Sequence, residues 1–253
     1  MNIAQHLTDL FAQREDIPLF YIESGSRLWG MASPDSDYDV RGFHLVAKSQ
    51  YFDYRPYRDV IETMQGDFDF VSYDLDKMLN LLDKSNPTVI EWIRAELVYF
   101  NQCPDWHNFV QGFLPKIEYQ TLYYHYLSLA KKHIDVIQTA DNFTYKKVFY
   151  AIRGLFSAEL ALQQQLPALW IQDLFAQIEA QPLRQWAEQY LIIKQQQQER
   201  QCLAATEQVE ILALLTQKIQ QLAALECNIR PSQHERYPYL RDYAWHLKHH
   251  FYG

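Results

Sequence analysis

The sequence predicts an α+β fold, with a mixed sheet in the first hundred residues followed by an all-helical region. Up to about residue 100, short apolar runs with strand spacing lie between segments whose apolar residues recur every three or four positions. After Pro104 the strand signals fade and helical spacing continues. A chain of 253 residues has room for two such regions. We therefore expect one domain over residues 1–100 and a helical domain over 101–253.

The first hundred residues alternate between the two kinds of element. Apolar runs that stop at Gly or Ser predict strands, and a polar N-cap before helical spacing predicts helices. The expected elements are a helix over 3–14, strands at Leu19–Ile22, Tyr38–Phe43 and Phe68–Val71, a helix from an Asp74 N-cap to the turn at Asn86-Pro87, and a helix from Pro87 to about Glu96.

The region after Pro104 shows one helical pattern after another. Apolar spacing predicts helices near 105–113, 119–138, 144–165, 169–178, 183–198 and 205–225. The last stretch, 230–253, is rich in aromatic residues and histidine, and we expect it to dock on the rest of the fold.

Charge and composition exclude several classes of protein. The net charge is −8, and residues 1–100 carry all of the excess with 17 acidic and 9 basic residues. This balance argues against a chain that binds nucleic acid by bulk attraction, which requires clustered Lys and Arg. Three scattered cysteines, no signal-peptide pattern and no run of ~18 apolar residues favour a cytoplasmic protein with no membrane span.

A short polar bend follows the first predicted strand, at Ser24-Gly25-Ser26-Arg27. A strand that ends in Gly-Ser before a short helix points backbone N–H groups outward, a geometry that holds phosphate oxygens. Gly25 lets a ligand approach the backbone. We therefore expect Gly25, Ser26 and Arg27 to bind a nucleotide's phosphates.

Ten residues separate Ser26 from the first of two carboxylates. Asp37 and Asp39 lie two apart on a predicted strand, so they share a face and stand roughly 7 Å apart. Their repulsion would be relieved by Mg²⁺, and two such ions ~4 Å apart can activate an attacking hydroxyl and stabilise the leaving oxygen. Taken alone, these residues also fit an ordinary solvated turn. The Gly-Ser bend and the strand on each side favour the catalytic interpretation.

This arrangement resembles the DNA polymerase β-like nucleotidyltransferase superfamily, whose signature is a strand, Gly-Ser, a spacer of about ten residues and Asp-apolar-Asp. More narrowly it is similar to the predicted nucleotidyltransferases associated with bacterial RNA repair. The likeness covers roughly residues 18–96. Its motifs are Gly25-Ser26-Arg27 to Gly30, Ser36 to Gly42, Asp74-Leu75 through Lys77 to Asn86-Pro87, and Glu91-Trp92.

The resemblance implies a third carboxylate on a neighbouring strand. Asp69, between two phenylalanines, fits best, with Asp67 and Asp74 as alternatives. By resemblance, Asp37 and Asp39 bind two Mg²⁺ ions, with Mn²⁺ as a substitute. Asp69 would complete the catalytic ion's ligands and help to deprotonate the acceptor hydroxyl.

Several cations are candidates for binding the nucleotide. Arg27 and Arg41 lie close in sequence to the expected phosphates, and guanidinium favours bidentate pairing with them. Arg41 fits an ion pair with an aspartate of the same cluster equally well. On a helix of the second half, Lys147, Tyr150 and Arg153 match a weaker part of the resemblance, although these positions also fit a solvated helix face.

The resemblance implies Mg²⁺-dependent transfer of a nucleoside monophosphate from an NTP such as ATP to an acceptor hydroxyl, with release of pyrophosphate. The helical domain would close the active-site cleft. An RNA end, with tRNA as one candidate, is the acceptor that the resemblance favours and the acidic charge disfavours. The alternatives are nucleotidylation of a protein or small-molecule hydroxyl, and a catalytically silent nucleotide-binding regulator.

Overall fold

The computed structural model describes residues 1–139, 143–229 and 235–253. Within these ranges one sheet has five strands in the spatial order β3-β4-β2-β1-β5. The β2–β4 pair is parallel and the other pairs are antiparallel, so the sheet is mixed. The strands are β1 (Ile17–Glu23), β2 (Tyr38–Leu45), β3 (Val60–Gln65), β4 (Phe68–Asp74) and β5 (Val98–Asn101).

Helices occur between the strands in sequence and make up most of the described chain after residue 105. In the first half they are α1 (Ile3–Phe11), α2 (Gly25–Leu28), α3 (Lys48–Tyr51), α4 (Leu75–Asp83) and α5 (Pro87–Arg94). The second half has α6 (Trp106–Phe113), a 3₁₀ turn at Leu114–Lys116, α7 (Tyr119–Thr139), α8 (Tyr145–Leu162), α9 (Ile171–Gln177), α10 (Pro182–Gln196), α11 (Ala205–Ala224) and α12 (Arg236–Tyr252). The α+β prediction is confirmed.

One face of the sheet packs against α1. This helix is amphipathic because Ile3, Leu7 and Phe11 recur at helical spacing, and all three are buried. They form one core cluster with apolar side chains of four strands, including Val40 on β2 and Phe70 on β4. Since side chains alternate along a strand, the residues next to Val40 and Phe70 point to the other face.

Asp74 ends β4 and begins α4. Its buried carboxylate accepts the backbone N–H of Asp76 at 2.9 Å, as the predicted N-cap should. Asn86 caps α5 in the same way, with Pro87 in the first turn. Both predicted helix starts are confirmed.

Three buried polar side chains, on β1, β4 and β2, form a series of hydrogen bonds across the sheet. The hydroxyl of Ser72 lies 2.8 Å from the hydroxyl of Tyr21 and 2.8 Å from Nδ1 of His44. All three residues are 1% exposed or less. Burial lowers the pKa of His44 to about 4, so its ring is neutral at neutral pH.

The described residues form two compact units, each made of separate segments. The first unit contains Met1–Gly25, Asp37–Ile117 and the described part of Ser232–Gly253. The second contains Ser26–Ser36 and the described part of Glu118–Pro231. The expected boundary near residue 100 stays a prediction.

The C-terminal helix packs within the first unit. Arg236 donates to the backbone carbonyls of Asp83 at the end of α4 and of Lys116, at 2.8 and 3.1 Å. The hydroxyl of Tyr239 donates to the carbonyl of Phe109 on α6 at 2.8 Å. The docking expected of this segment is therefore found over 235–253, whereas residues 230–234 lie outside the described ranges.

The predicted helices of the second half match α6 to α11 to within a few residues at each end. Strands β3 and β5 were not predicted. Both are edge strands with little buried surface. In the part of the chain that the structure describes, no helix is both long and apolar enough to cross a membrane.

Candidate active site

Two predicted site residues lie side by side on the parallel strands at the centre of the sheet. Asp39 on β2 is in register with Asp69 on β4. Their neighbours Val40 and Phe70 face α1, so both carboxylates point to the opposite face. Their side chains are 25% and 34% exposed, which leaves them accessible to a ligand.

Arg41 joins these two carboxylates. Its Nη2 lies 2.8 Å from Oδ1 of Asp39 and 2.7 Å from Oδ2 of Asp69. Its Nη1 donates to the backbone carbonyl of Asp69 at 2.6 Å. The ion pair, one of the two expected roles of Arg41, is thus present, and it offsets the repulsion between two neighbouring negative charges.

Gly25 stands directly against Asp39. Its φ of +57° is a conformation that favours glycine, and a Cβ built on it would lie 2.0 Å from Oδ2 of Asp39. The backbone N–H of the preceding Ser24 donates to the carbonyl of Asp39 at 2.8 Å. The bend after β1 therefore approaches the carboxylate as closely as its lack of a side chain allows.

Glu23 holds the backbone of Asp39 in place, and the sequence analysis did not identify this residue. This last residue of β1 is 1% exposed, and its Oε1 accepts the backbone N–H of Asp39 at 2.9 Å. Its other oxygen accepts the hydroxyl of Tyr99. A carboxylate directly after four apolar residues was the available signal, because a buried charge requires such partners.

The remaining acidic candidates lie at different places. Asp37 immediately precedes β2, so the expectation that both aspartates lie on the strand holds only for Asp39. Asp67 is exposed in the turn between β3 and β4, where its carbonyl accepts the N–H of Tyr38. Asp74 is the buried cap of α4. Of the three candidates for the third carboxylate, Asp69 is the one in register with Asp39.

The donor chemistry of this cluster fits a divalent cation. Carboxylate oxygens are the ligands that Mg²⁺ prefers, and those of Asp39 and Asp69 already converge on one cationic nitrogen. Within 1–139, 143–229 and 235–253, however, no group of three or more Asp, Glu, His or Cys side chains is arranged so that it could hold a metal ion. A metal at Asp37, Asp39 and Asp69 stays a prediction.

Ser26 and Arg27 begin the segment that belongs to the second unit. Ser26 is 3% exposed, and its carbonyl accepts the N–H of Met31 at 2.8 Å. Arg27 donates through Nη2 to the carbonyl of Ser36 at 2.7 Å. The second of these bonds ties the two ends of the Ser26–Ser36 segment together. A phosphate-binding role for Ser26 and Arg27 stays a prediction.

The three candidates on α8 occupy different surroundings. Arg153 is 4% exposed, with its guanidinium carbon 3.9 Å from the centre of the Trp29 ring, so a solvated face is wrong for it. Tyr150 meets Trp29 edge-on at 5.3 Å. Lys147 is half-buried near the start of the helix. Trp29 was missed as the aromatic partner of this group, and nucleotide binding by Lys147, Tyr150 and Arg153 stays a prediction.

A mixed sheet with paired aspartates on adjoining parallel strands, beside a glycine bend that follows the first strand, is the arrangement expected of a DNA polymerase β-like nucleotidyltransferase. Within that class, the chain belongs to RlaP, the RNA repair pathway DNA polymerase beta family, whose model matches residues 2–242. The resemblance read from the sequence is confirmed.

Two curated relatives are similar to parts of this chain. "Uncharacterized protein YcgL" of Bacillus subtilis (strain 168) is 32% identical over 142 residues, which are 56% of this chain and 55% of that protein. "Uncharacterized protein MJ0002" of Methanocaldococcus jannaschii is 30% identical over 152 residues, which are 58% of this chain and 61% of that protein. The chain therefore spans less than two thirds of the length of the curated relatives that it matches.

A solved structure described as a nucleotidyltransferase-like protein, from Exiguobacterium sibiricum 255-15, overlaps with 98% of this chain and 80% of its own. Its TM-score is 0.36 and its sequence identity is 10%.

Proposed function

We propose that this protein is a Mg²⁺-dependent nucleotidyltransferase that moves a nucleoside monophosphate from an NTP to the hydroxyl of an RNA end. One observation carries the proposal: Asp39 and Asp69 stand in register on neighbouring parallel strands, with the backbone of Gly25 against Asp39. Membership of a family described by RNA repair supports the choice of RNA as the acceptor.

In the proposed reaction the acceptor oxygen attacks the α-phosphorus of the NTP. A new oxygen–phosphorus bond forms, the bond to the bridging oxygen of the β-phosphate breaks, and pyrophosphate leaves with the electron pair. Asp69 takes the proton of the attacking hydroxyl. Transfer of this kind depends mainly on positioning and on neutralising charge, which a fixed group of carboxylates and cations can supply.

The residues proposed to hold Mg²⁺ are Asp37, Asp39 and Asp69. Bound there, the metal would lower the pKa of the acceptor hydroxyl and neutralise charge on the triphosphate. The chain's own contribution is orientation. Glu23 fixes the backbone of Asp39, and Arg41 holds the two strand carboxylates at one point.

The test uses the protein with each of the four NTPs, labelled in turn at the α- and the γ-phosphate, together with Mg²⁺. The acceptors are total RNA, a protein extract and a set of small hydroxyl compounds. We expect α-label, and no γ-label, in RNA, and no incorporation when EDTA removes the metal. Manganese should restore the activity.

Two results would contradict the proposal. If label enters only protein or small molecules, the RNA acceptor is wrong. The protein then nucleotidylates a protein or small-molecule hydroxyl, the alternative that the net charge of −8 favours. If no pool takes up label from any NTP with either metal, although nucleotide binds, the protein is a silent nucleotide-binding regulator.

A further inference from the structure

A buried lysine of the second unit holds the Ser26–Ser36 segment. Lys194 on α10 is 2% exposed, and its ammonium group donates to the carbonyl of Met31 and, at 2.9 Å, to Oγ of Ser33. Oγ of Ser33 donates in turn to the backbone carbonyl of Lys194 at 3.1 Å. Lys194 therefore donates hydrogen bonds to the segment and also accepts one from it.

Other bonds from the helical part of this unit reach the same segment. Together they engage two backbone carbonyls near the middle of the segment and two side chains at its end, which limits the conformations that the segment can adopt. They are Gln195 Nε2 to the Gly30 carbonyl at 2.8 Å, Ile171 N–H to the Trp29 carbonyl at 2.9 Å, Glu199 N–H to Asp35 at 3.0 Å, and Ser36 Oγ to Glu199 at 2.7 Å.

The contacts of Lys194 lead directly to the predicted phosphate ligands. Met31 accepts from Lys194 through its carbonyl and donates its own N–H to the carbonyl of Ser26. Ser33 donates its N–H to Oγ of Ser36 at 2.9 Å, and the carbonyl of Ser36 accepts from Arg27. Lys194 is thus linked to the backbone of Ser26 through two hydrogen bonds and to Arg27 through three.

Burial deprives the ammonium group of Lys194 of water, which disfavours its charged form. Burial lowers the pKa of Lys194 to about 8, with Glu199 and Asp35 opposing this shift and Lys146 adding to it. A methionine would fill the same space without that cost. The lysine instead supplies directed donors to two acceptors on one segment.

We propose that Lys194 is a positioning residue for nucleotide binding, which holds the Ser26–Ser36 segment in the shape that lets Ser26 and Arg27 receive phosphate oxygens. This inference rests on the proposed function. It makes the affinity for the NTP depend on a residue that itself touches no substrate.

The test compares Lys194→Met with Lys218→Met in the full-length chain. Lys218 on α11 is a matched control, because it is also buried in the second unit, at 8% exposure, but pairs with Glu159 at 2.8 Å. Titration with each NTP and Mg²⁺ should show affinity weakened about tenfold or more in Lys194→Met. Lys218→Met should bind as the wild type does.

Kinetics and hydrogen exchange separate positioning from general loss of structure. In Lys194→Met the KM for the NTP should rise while kcat changes little, because the lost interaction acts on binding. Amide exchange over residues 26–36 should accelerate in Lys194→Met alone. Ser33→Ala, which removes the segment's side of the contact, should shift KM in the same direction and decides the matter if Lys194→Met does not fold.

The outcomes distinguish this inference from the proposed function. If the wild type binds and transfers nucleotide while Lys194→Met and Ser33→Ala match it in KM and affinity, the inference is wrong and the function stands. If Lys218→Met weakens binding as much as Lys194→Met, the effect is general and the inference is also wrong. If the wild type binds no nucleotide, both fail.

Discussion

The buried carboxylate of Glu23 accepts the backbone N–H of Asp39 at 2.9 Å, so the last residue of β1 sets the position of a proposed catalytic residue on β2. Glu23→Ala leaves that N–H and the hydroxyl of Tyr99 without this acceptor. We expect the free energy of unfolding to fall by about 1–3 kcal/mol, measured by urea denaturation.

The control for Glu23 is Glu62→Ala. Glu62 on β3 is exposed and pairs with the exposed Arg58, four residues earlier, at 2.6 Å, so its loss should change stability by less than about 1 kcal/mol. Transfer of α-label should drop in Glu23→Ala and stay unchanged in Glu62→Ala. Equal stability of the two variants would contradict the positioning role.

Gly25→Ala tests the close approach of the bend to Asp39. Gly25 and Gly66 have nearly the same φ, +57° and +58°, so alanine should cost about 1–2 kcal/mol of backbone strain at either position. A Cβ at Gly25 would also meet Oδ2 of Asp39, whereas a Cβ at Gly66 meets nothing within 4 Å. Only Gly25→Ala should lose transfer activity in the labelling assay, and activity that survives in both variants would argue against the site.

Asp69→Asn tests the third carboxylate. It removes the proposed proton acceptor and metal ligand at nearly constant volume, and we expect transfer to fall about 100-fold or more. Asp53→Asn is the matched control, since Asp53 also forms an ion pair with an arginine, Arg55, at 3.0 Å. Circular dichroism checks that both variants fold. A large loss in Asp67→Asn with full activity in Asp69→Asn would move the ligand to the turn.

His44 predicts an acid-sensitive fold. Its pKa is lowered to about 4 in the folded protein from about 6.5, so the unfolded chain binds more protons in between. The stability present above pH 6.5 is therefore lost as the pH falls from 6.5 toward 4, by up to about 3 kcal/mol. His44→Asn should flatten this dependence in urea denaturation curves taken across that range, and parallel curves for the two proteins would contradict it.

The parts of the fold that follow local pattern were predictable. Helices α4 and α5 begin directly after Asp74 and Asn86, whose side chains cap them, and apolar spacing indicated the helices that follow. Strands β3 and β5 gave no such signal, because an edge strand buries few side chains. In β3, for example, Ile61 is the one buried residue.

The candidate site was predictable where its residues lie close together in sequence. The Gly-Ser bend and Asp39 were predicted from spacing, whereas Asp69 was predicted from the family resemblance, which implies a third carboxylate between apolar residues. Lys194 was not found because its contacts lie far along the chain. Lys194 contacts a residue 163 positions away, and no local pattern encodes that pairing.

The division of the chain into interleaved segments has an evolutionary consequence. A recombination event that joined the first 117 residues to a foreign partner would keep Ser26–Ser36 but discard the α10 residues that grip it, and would also strip α12 from the unit it packs into. Descendants of such an exchange would inherit the aspartates with an unsupported loop. We therefore expect the two parts of this gene to be inherited together and not to be exchanged separately.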